Sequence, residues 1–166
     1  MITYLLLYLF LALGVSFICS LLESTLMSTT LSYINLREEE GYKPALLMKK
    51  YKTETERPLA AILSLNTIAN TVGASGVGMQ ATLVFGEAWF GVCSAVMTIL
   101  ILVFSEIFPK TIGTTYWKKL MGLAAHTIRV LIIVMWPIVK MIELISRLFP
   151  EPDEAVVSRE EVIAMA

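Results

Sequence analysis

The sequence predicts an all-α membrane protein, with three transmembrane helices and further juxtamembrane helices on the cytoplasmic side. Two observations carry that prediction. Three stretches are free of charge for long enough to cross a bilayer, which takes about 20 helical residues. The charges are also few and segregated: of 166 residues, 57% are hydrophobic and 16% charged, with a mean hydropathy of +0.74. A soluble domain carries about a quarter charged residues.

The first uncharged stretch covers residues 1–22. It has no positive n-region, too long an apolar run and no small-residue cleavage site, so it is not a signal peptide. It predicts a span over about residues 2–28. The second stretch is 58–86, and Pro58 suits the first helical position, where its missing N–H costs nothing. The third is 88–105, separated from the second only by a turn around Gly86 and Glu87. These predict spans over about 58–85 and 88–109.

The connection after the first span holds two apolar sets, Leu31, Ile34 and Leu36, then Leu46, Leu47 and Tyr51. Gly41 and Pro44 divide it into two short helices at the interface, within about 31–52. A fourth apolar stretch, 123–149, is interrupted by Arg129, Lys140, Glu143 and Arg147. Its longest uncharged run, 130–139, makes roughly 15 Å of helix, about half the hydrocarbon thickness. Lys140 and Glu143 share a helix face, and Pro137 adds a kink. The segment from about 115 to 149 therefore reads as an amphipathic helix, or a helix pair, lying along the interface. The competing reading is a fourth span.

Basic residues set the orientation. The first connection carries Arg37, Lys43, Lys49, Lys50, Lys52 and Arg57, while the turn between spans two and three and the N-terminus carry none. The positive-inside rule then predicts a multi-pass inner or plasma membrane protein, N-terminus outside and C-terminus cytoplasmic, with an odd number of spans. Residues 1–149 form the membrane domain on this reading. In 150–166, Pro150 and Pro152 stop the preceding helix, and Ser158 with Glu161 makes a capping box that opens a new one. The sequence thus reads as a membrane module running into a cytoplasmic acidic helical region.

Polar groups inside the spans point to chemistry. Ser16, Ser20, Glu23 and Ser24 share one face of span one. Asn66 and Asn70 lie one turn apart in span two, roughly 12 and 18 Å from Pro58. In span three Pro109 follows Glu106 by three residues, and its missing N–H deprives the Ser105 carbonyl of its helical partner. An ionisable group at this depth is expensive and marks a substrate or ion pathway. Amide, hydroxyl, carboxylate and carbonyl are hard donors, suited to magnesium or sodium, and sites on broken helices are a recurring transporter device.

Each group also has a structural reading. Serines in membrane helices bond their own backbone, and asparagines join helices for about 0.6–2 kcal/mol. Glu23 can mark the end of span one, and Glu106 can pair with Lys110 one turn on. Gly73, Gly76 and Gly78 with Ser75 read as a close-packing surface. Cys19 and Cys93 lie in apolar stretches and read as small hydrophobes, and with one histidine, His126, they leave too little for a structural zinc site. No H-E-x-x-H, paired aspartates or serine–histidine arrangement supports an enzyme, and no nucleic-acid partner is expected.

Three motifs then carry a likeness. SLLESTLMS (20–28) resembles the S-x-S-E-T-A-L-x-S signature of the CorC/CNNM (cyclin-M-like) magnesium transporters. RPLAAILSLNTIAN (57–70) resembles their second-helix pattern, and FSEIFPKT (104–111) their F-G-E-I-x-P-K-T element. Leu22 stands where a serine is usual, and Ser64 and Ser105 where glycines are usual. The resemblance implies a dimer with three spans per subunit and a cytoplasmic belt of interfacial helices. An acidic helical bundle and nucleotide-binding CBS domains are expected to follow beyond this chain. It further implies that Ser20, Asn66, Asn70, Glu106 and the Ser105 carbonyl line a dehydrated Mg²⁺ site, with Mg²⁺ efflux driven by Na⁺ exchange. Glu23, Ser24, Pro109 and Lys110 are candidates for the gate or for coupling-ion binding. The alternative function is a membrane anchor or sensor that regulates other transport proteins through its cytoplasmic domains.

Overall fold

A computed structural model describes residues 1–149. The described chain is all-helical: α1 (Ile2–Ser28), α2 (Leu31–Glu39), α3 (Lys43–Thr53), α4 (Glu56–Phe85), α5 (Phe90–Leu100), a π-helical stretch Ile101–Ile107, α6 (Phe108–Val134) and α7 (Trp136–Leu148). The capping box at Ser158 and Glu161 and the expected acidic helical region lie outside the described residues.

The central helix, α1, packs along α4 on one side and along the π-helical stretch and α6 on the other. Small residues permit the approach. Gly73 lies against Ala12 and Gly76 against the Tyr8 ring, and a Cβ on either would overlap them. Gly113 of α6 faces the Ser24 side chain and the Leu21 carbonyl in the same way. Lys52 ends α1 by donating to the carbonyls of Leu26 (3.1 Å) and Met27 (2.9 Å), a cation placed at the negative end of a helix.

Helices α2 and α3 fall on either side of the Gly41 and Pro44 breaks. Thr30 caps α2 by accepting from the Tyr33 N–H, and Gly41 makes the turn at φ +79°. Gly86, at φ +93°, makes the tight turn out of α4. At Met135 (φ −91°, ψ 11°) the chain breaks again, and Pro137 lies in the first turn of α7. Within 115–149 there is accordingly a helix pair.

The third long helix departs from expectation at Pro109, where it does not stop. Residues Ile101–Ile107 wind more widely, and the Phe108 N–H reaches the Val103 carbonyl five residues back. Pro109 then sits in the first turn of α6, where no donor is needed. Phe104 and Ser105 lie five and four residues before Pro109, the positions whose carbonyls a π- or α-helical N–H at residue 109 would serve, and proline has none to give. The helix continues through a kink at Tyr116 (φ −109°, ψ 19°) to Val134.

Among the described residues two helices are long and apolar enough to cross a membrane, Ile2–Ser28 and the continuous Glu87–Val134. Only 28% and 11% of their most apolar 18-residue stretches are buried inside the protein, unlike core helices of a soluble domain. Helix α4, at 30 residues, has the length, but Asn66, Asn70, Gln80 and its glycines and serines dilute its apolarity. The main core gathers where α2 and α3 return to the bundle and includes Leu26, Ile34, Met48, Ile62, Met121 and Ile128. The opposite end has a small cluster, Ala12, Val77 and Met97. Beside it opens a wholly apolar groove of about 490 Å³ between α1, α4 and α5.

Candidate ion site

Where α1, α4 and the π-helical stretch meet, their polar side chains form one chain of contacts. Ser16 donates to the Asn66 carbonyl oxygen (2.6 Å), and the Asn66 amide donates to the Glu106 carboxylate (3.3 Å). That order fixes the Asn66 amide: only its NH₂ can face the carboxylate, and only its oxygen can accept from the hydroxyl. Asn70, one turn on, donates to the same Asn66 oxygen (3.5 Å). Its own Oδ1 is buried without a partner. The Ser20 hydroxyl, one turn from Ser16 on α1, is likewise buried and unpaired.

Lys110 closes the cluster. Its ammonium lies 3.4 Å from Glu23 and 3.5 Å from Glu106, bridging the two carboxylates from α6. The expected Glu106–Lys110 pair is present, and Glu23 joins it. The two carboxylate side chains are 25% and 27% exposed, so the group is only partly screened from its surroundings. The π-helical stretch matters here, because it sets the rotation between Ser105, Glu106 and Lys110 around the helix axis.

Asn66, Asn70 and Glu106 are therefore brought together, while Ser20 lies one turn along α1 from Ser16 with no contact to them. Ser105 is fully buried, but its hydroxyl donates to the Leu13 carbonyl (3.1 Å) and ties two helices. Ser24 donates to the Leu21 carbonyl (3.1 Å) and packs on Gly113, so its hydroxyl is spent on its own helix. Pro109 is buried beside the cluster. The residue sequence reasoning undervalued is Ser16; its one signal is the four-residue spacing from Ser20. Among the described residues no three His, Cys, Asp or Glu side chains gather as a metal cage. A cation here would be held chiefly by neutral oxygens, with one or two carboxylates.

Outside the spans, burial pushes the Tyr51 hydroxyl up, partly offset by Arg129, and lowers the Lys52 ammonium. Glu143 is held below the usual carboxylate range, first by its hydrogen bond from Arg57, and then by Lys140 at 3.3 Å.

Helices that expose apolar faces, with buried hydroxyls and a half-buried carboxylate and amides where they meet, define an all-helical membrane domain. The model of the CNNM family described as the cyclin M transmembrane N-terminal domain matches residues 6–166, and the chain belongs to that family. It is similar to UPF0053 protein sll1254 of Synechocystis, 36% identical over 80% of this chain and 38% of that protein. It is also similar to the UPF0053 inner membrane protein YfjD of Escherichia coli, 26% identical over 72% of this chain and 28% of that one. A chloroplastic DUF21 domain-containing protein of Arabidopsis thaliana is 27% identical over 81% of this chain and 20% of its own length. The chain thus spans well under half the length of the curated relatives it matches.

Proposed function

We propose that this domain carries Mg²⁺ across the membrane by alternating access, with the cluster at Glu106 as the ion site. The observation that carries the reading is the hydrogen-bonded Ser16–Asn66–Glu106 chain with an unpaired buried oxygen one turn from it on each of two helices, Ser20 Oγ on α1 and Asn70 Oδ1 on α4. A buried polar atom without a partner costs about 1–3 kcal/mol, a cost that a bound cation offsets. Glu106 supplies charge, Asn66 and Asn70 amide oxygens, Ser20 a hydroxyl, and residue 105 its carbonyl.

Two rearrangements accompany entry of the ion. Asn66 turns its oxygen from Ser16 toward the cation, and the Lys110 ammonium leaves Glu106 for Glu23. Lys110 is thereby a tethered cation that holds the carboxylates when the site is empty. Neutral donors with few carboxylates leave a divalent ion under-neutralised, which favours release over storage. Sodium exchange supplies the driving gradient on this reading. Three spans per subunit, a dimer and an outside N-terminus complete it: α4 crosses as the middle span because its polar face is covered by α1 and α6. The cytoplasmic side then carries the basic α2–α3 connection.

The experiment is Mg²⁺ flux from proteoliposomes. Glu106→Ala and Asn70→Ala should abolish flux with the fold intact, and Mg²⁺ should raise the unfolding temperature of the parent but not of Glu106→Ala. Full transport by both variants overturns the site. A protein that moves no Mg²⁺ in any form is instead an anchor or sensor, a reading favoured by how little of its relatives' length this domain covers.

A further inference from the structure

A second cleft, of about 420 Å³, lies apart from the ion site, between α3, the start of α4 and α6. Its volume falls within the roughly 300–1,000 Å³ of small-ligand sites. Lys50, Arg57 and Arg129 stand on its rim with Glu54, while Leu47, Ile132 and Ile133 form an apolar wall. Arg57 is paired with Glu143 of α7. Lys50 and Arg129 have no ion pair among the described residues. Val130, Ile133 and Val134, next to Arg129, are 59%, 65% and 66% exposed, so the cleft opens sideways onto an uncovered apolar surface. The neighbouring α7 exposes Trp136, Met141, Leu144 and Leu148, as a helix in the headgroup layer does.

Cations above an apolar wall match an amphiphile. A free phosphate would use the rim and gain nothing from Leu47, Ile132 and Ile133, whereas a phospholipid uses both. Basic pockets between helices at the membrane surface bind anionic headgroups for this reason. We propose that this cleft is a binding site for an anionic phospholipid, with the phosphate between Lys50 and Arg129 and the first acyl carbons on Leu47, Ile132 and Ile133. The proposal needs the domain to be in a membrane but not the ion site, so transport and lipid retention fail independently.

The test is native mass spectrometry of the purified protein, delipidated and then given phosphatidylglycerol or phosphatidylcholine. Phosphatidylglycerol should be retained at least fivefold better. Each basic group at a membrane surface is worth about fivefold, so the double variant Lys50→Gln/Arg129→Gln should lose phosphatidylglycerol on the order of thirtyfold. Glu54→Gln, which removes a negative charge from the rim, should increase retention, and an unchanged or lower retention would count against the site even if the double variant does not fold. Glycerol phosphate at matching concentration should displace nothing. Equal retention of the two lipids, an unaffected double variant, or displacement by glycerol phosphate overturns the proposal. So does binding that appears only when residues 150–166 are removed, because the acidic tail would then be the occupant.

Discussion

In the collar built from α2, α3, α6 and α7, polar side chains close structural gaps. Lys52 satisfies the last carbonyls of α1, Lys49 reaches Glu38 at 2.7 Å, and Arg57 ties α4 to Glu143 of α7. In the seam between α1, α4 and the π-helical stretch, the Ser20 hydroxyl and the Asn70 Oδ1 are buried without a partner, each one turn from a polar chain. Thr25 Oγ1 and the collar's own Arg37 Nε are unpaired too, but against apolar core or ion-paired surface. The collar also contains the larger apolar core, whereas the far end of the seam is packed by three small-to-medium residues and lipid-facing surface. The larger apolar core thus lies in one layer and the hydrogen-bonded polar chain in the other. On the proposed reading, the Ser20 and Asn70 oxygens gain their missing partner from the bound cation.

This contrast can be broken by stability measurements in detergent. The largest expected effect is in the collar: Ile128→Ala, at a fully buried position, should lower the unfolding free energy by about 2–5 kcal/mol. Flux per folded molecule should be unchanged; a loss below about 1 kcal/mol would mean that the core is not where the stability lies. In the seam, Ser20→Ala removes an unpaired hydroxyl, so stability should stay within about 0.5 kcal/mol of the parent or rise. The Mg²⁺ concentration for half-maximal flux should nevertheless increase. A clear destabilisation would show that the hydroxyl is bonded after all, and the two layers would no longer differ.

The smallest effect is electrostatic. Arg57 holds Glu143 below its ordinary value of 4.5, so the folded state prefers the carboxylate. The stabilisation is present above the unfolded value and disappears as the pH falls through the lower folded one. Amide exchange across α7, corrected for its intrinsic pH dependence, should accelerate in that acid window in the parent and not in Glu143→Gln. Identical profiles would separate α7 from this ion pair.

Much of this contrast is legible in the residues alone. Charge-free runs mark the long helices, Gly41 and Pro44 mark the break between α2 and α3, and the four-residue step from Asn66 to Asn70 puts both amides on one face. The pairing of Lys140 with Glu143 follows from spacing. What escapes is tertiary or cooperative. Ser16 and Asn66 are 50 residues apart, and Arg57 and Glu143 are 86 apart; no local pattern announces either contact. The second carboxylate on Lys110 depends on how α1 and α6 are rotated. The π-helical stretch is hidden because Pro109 has two solutions, a break or a widening upstream, and only packing against α1 chooses between them. Helix α4 exposes the limit of hydropathy: the residues that would serve an ion also lower the average by which a span is recognised.

The widened winding at Ile101–Ile107 has a geometric corollary. A run of wide turns spends more residues per unit of axial advance than an ordinary helix, so this rod contains slack. Tightening it by one residue would swing everything downstream by about 100°. Lys110 would then change its heading relative to Glu23, which stands on a separate rod. The heading of that ammonium is thus set by backbone winding alone, a few residues upstream.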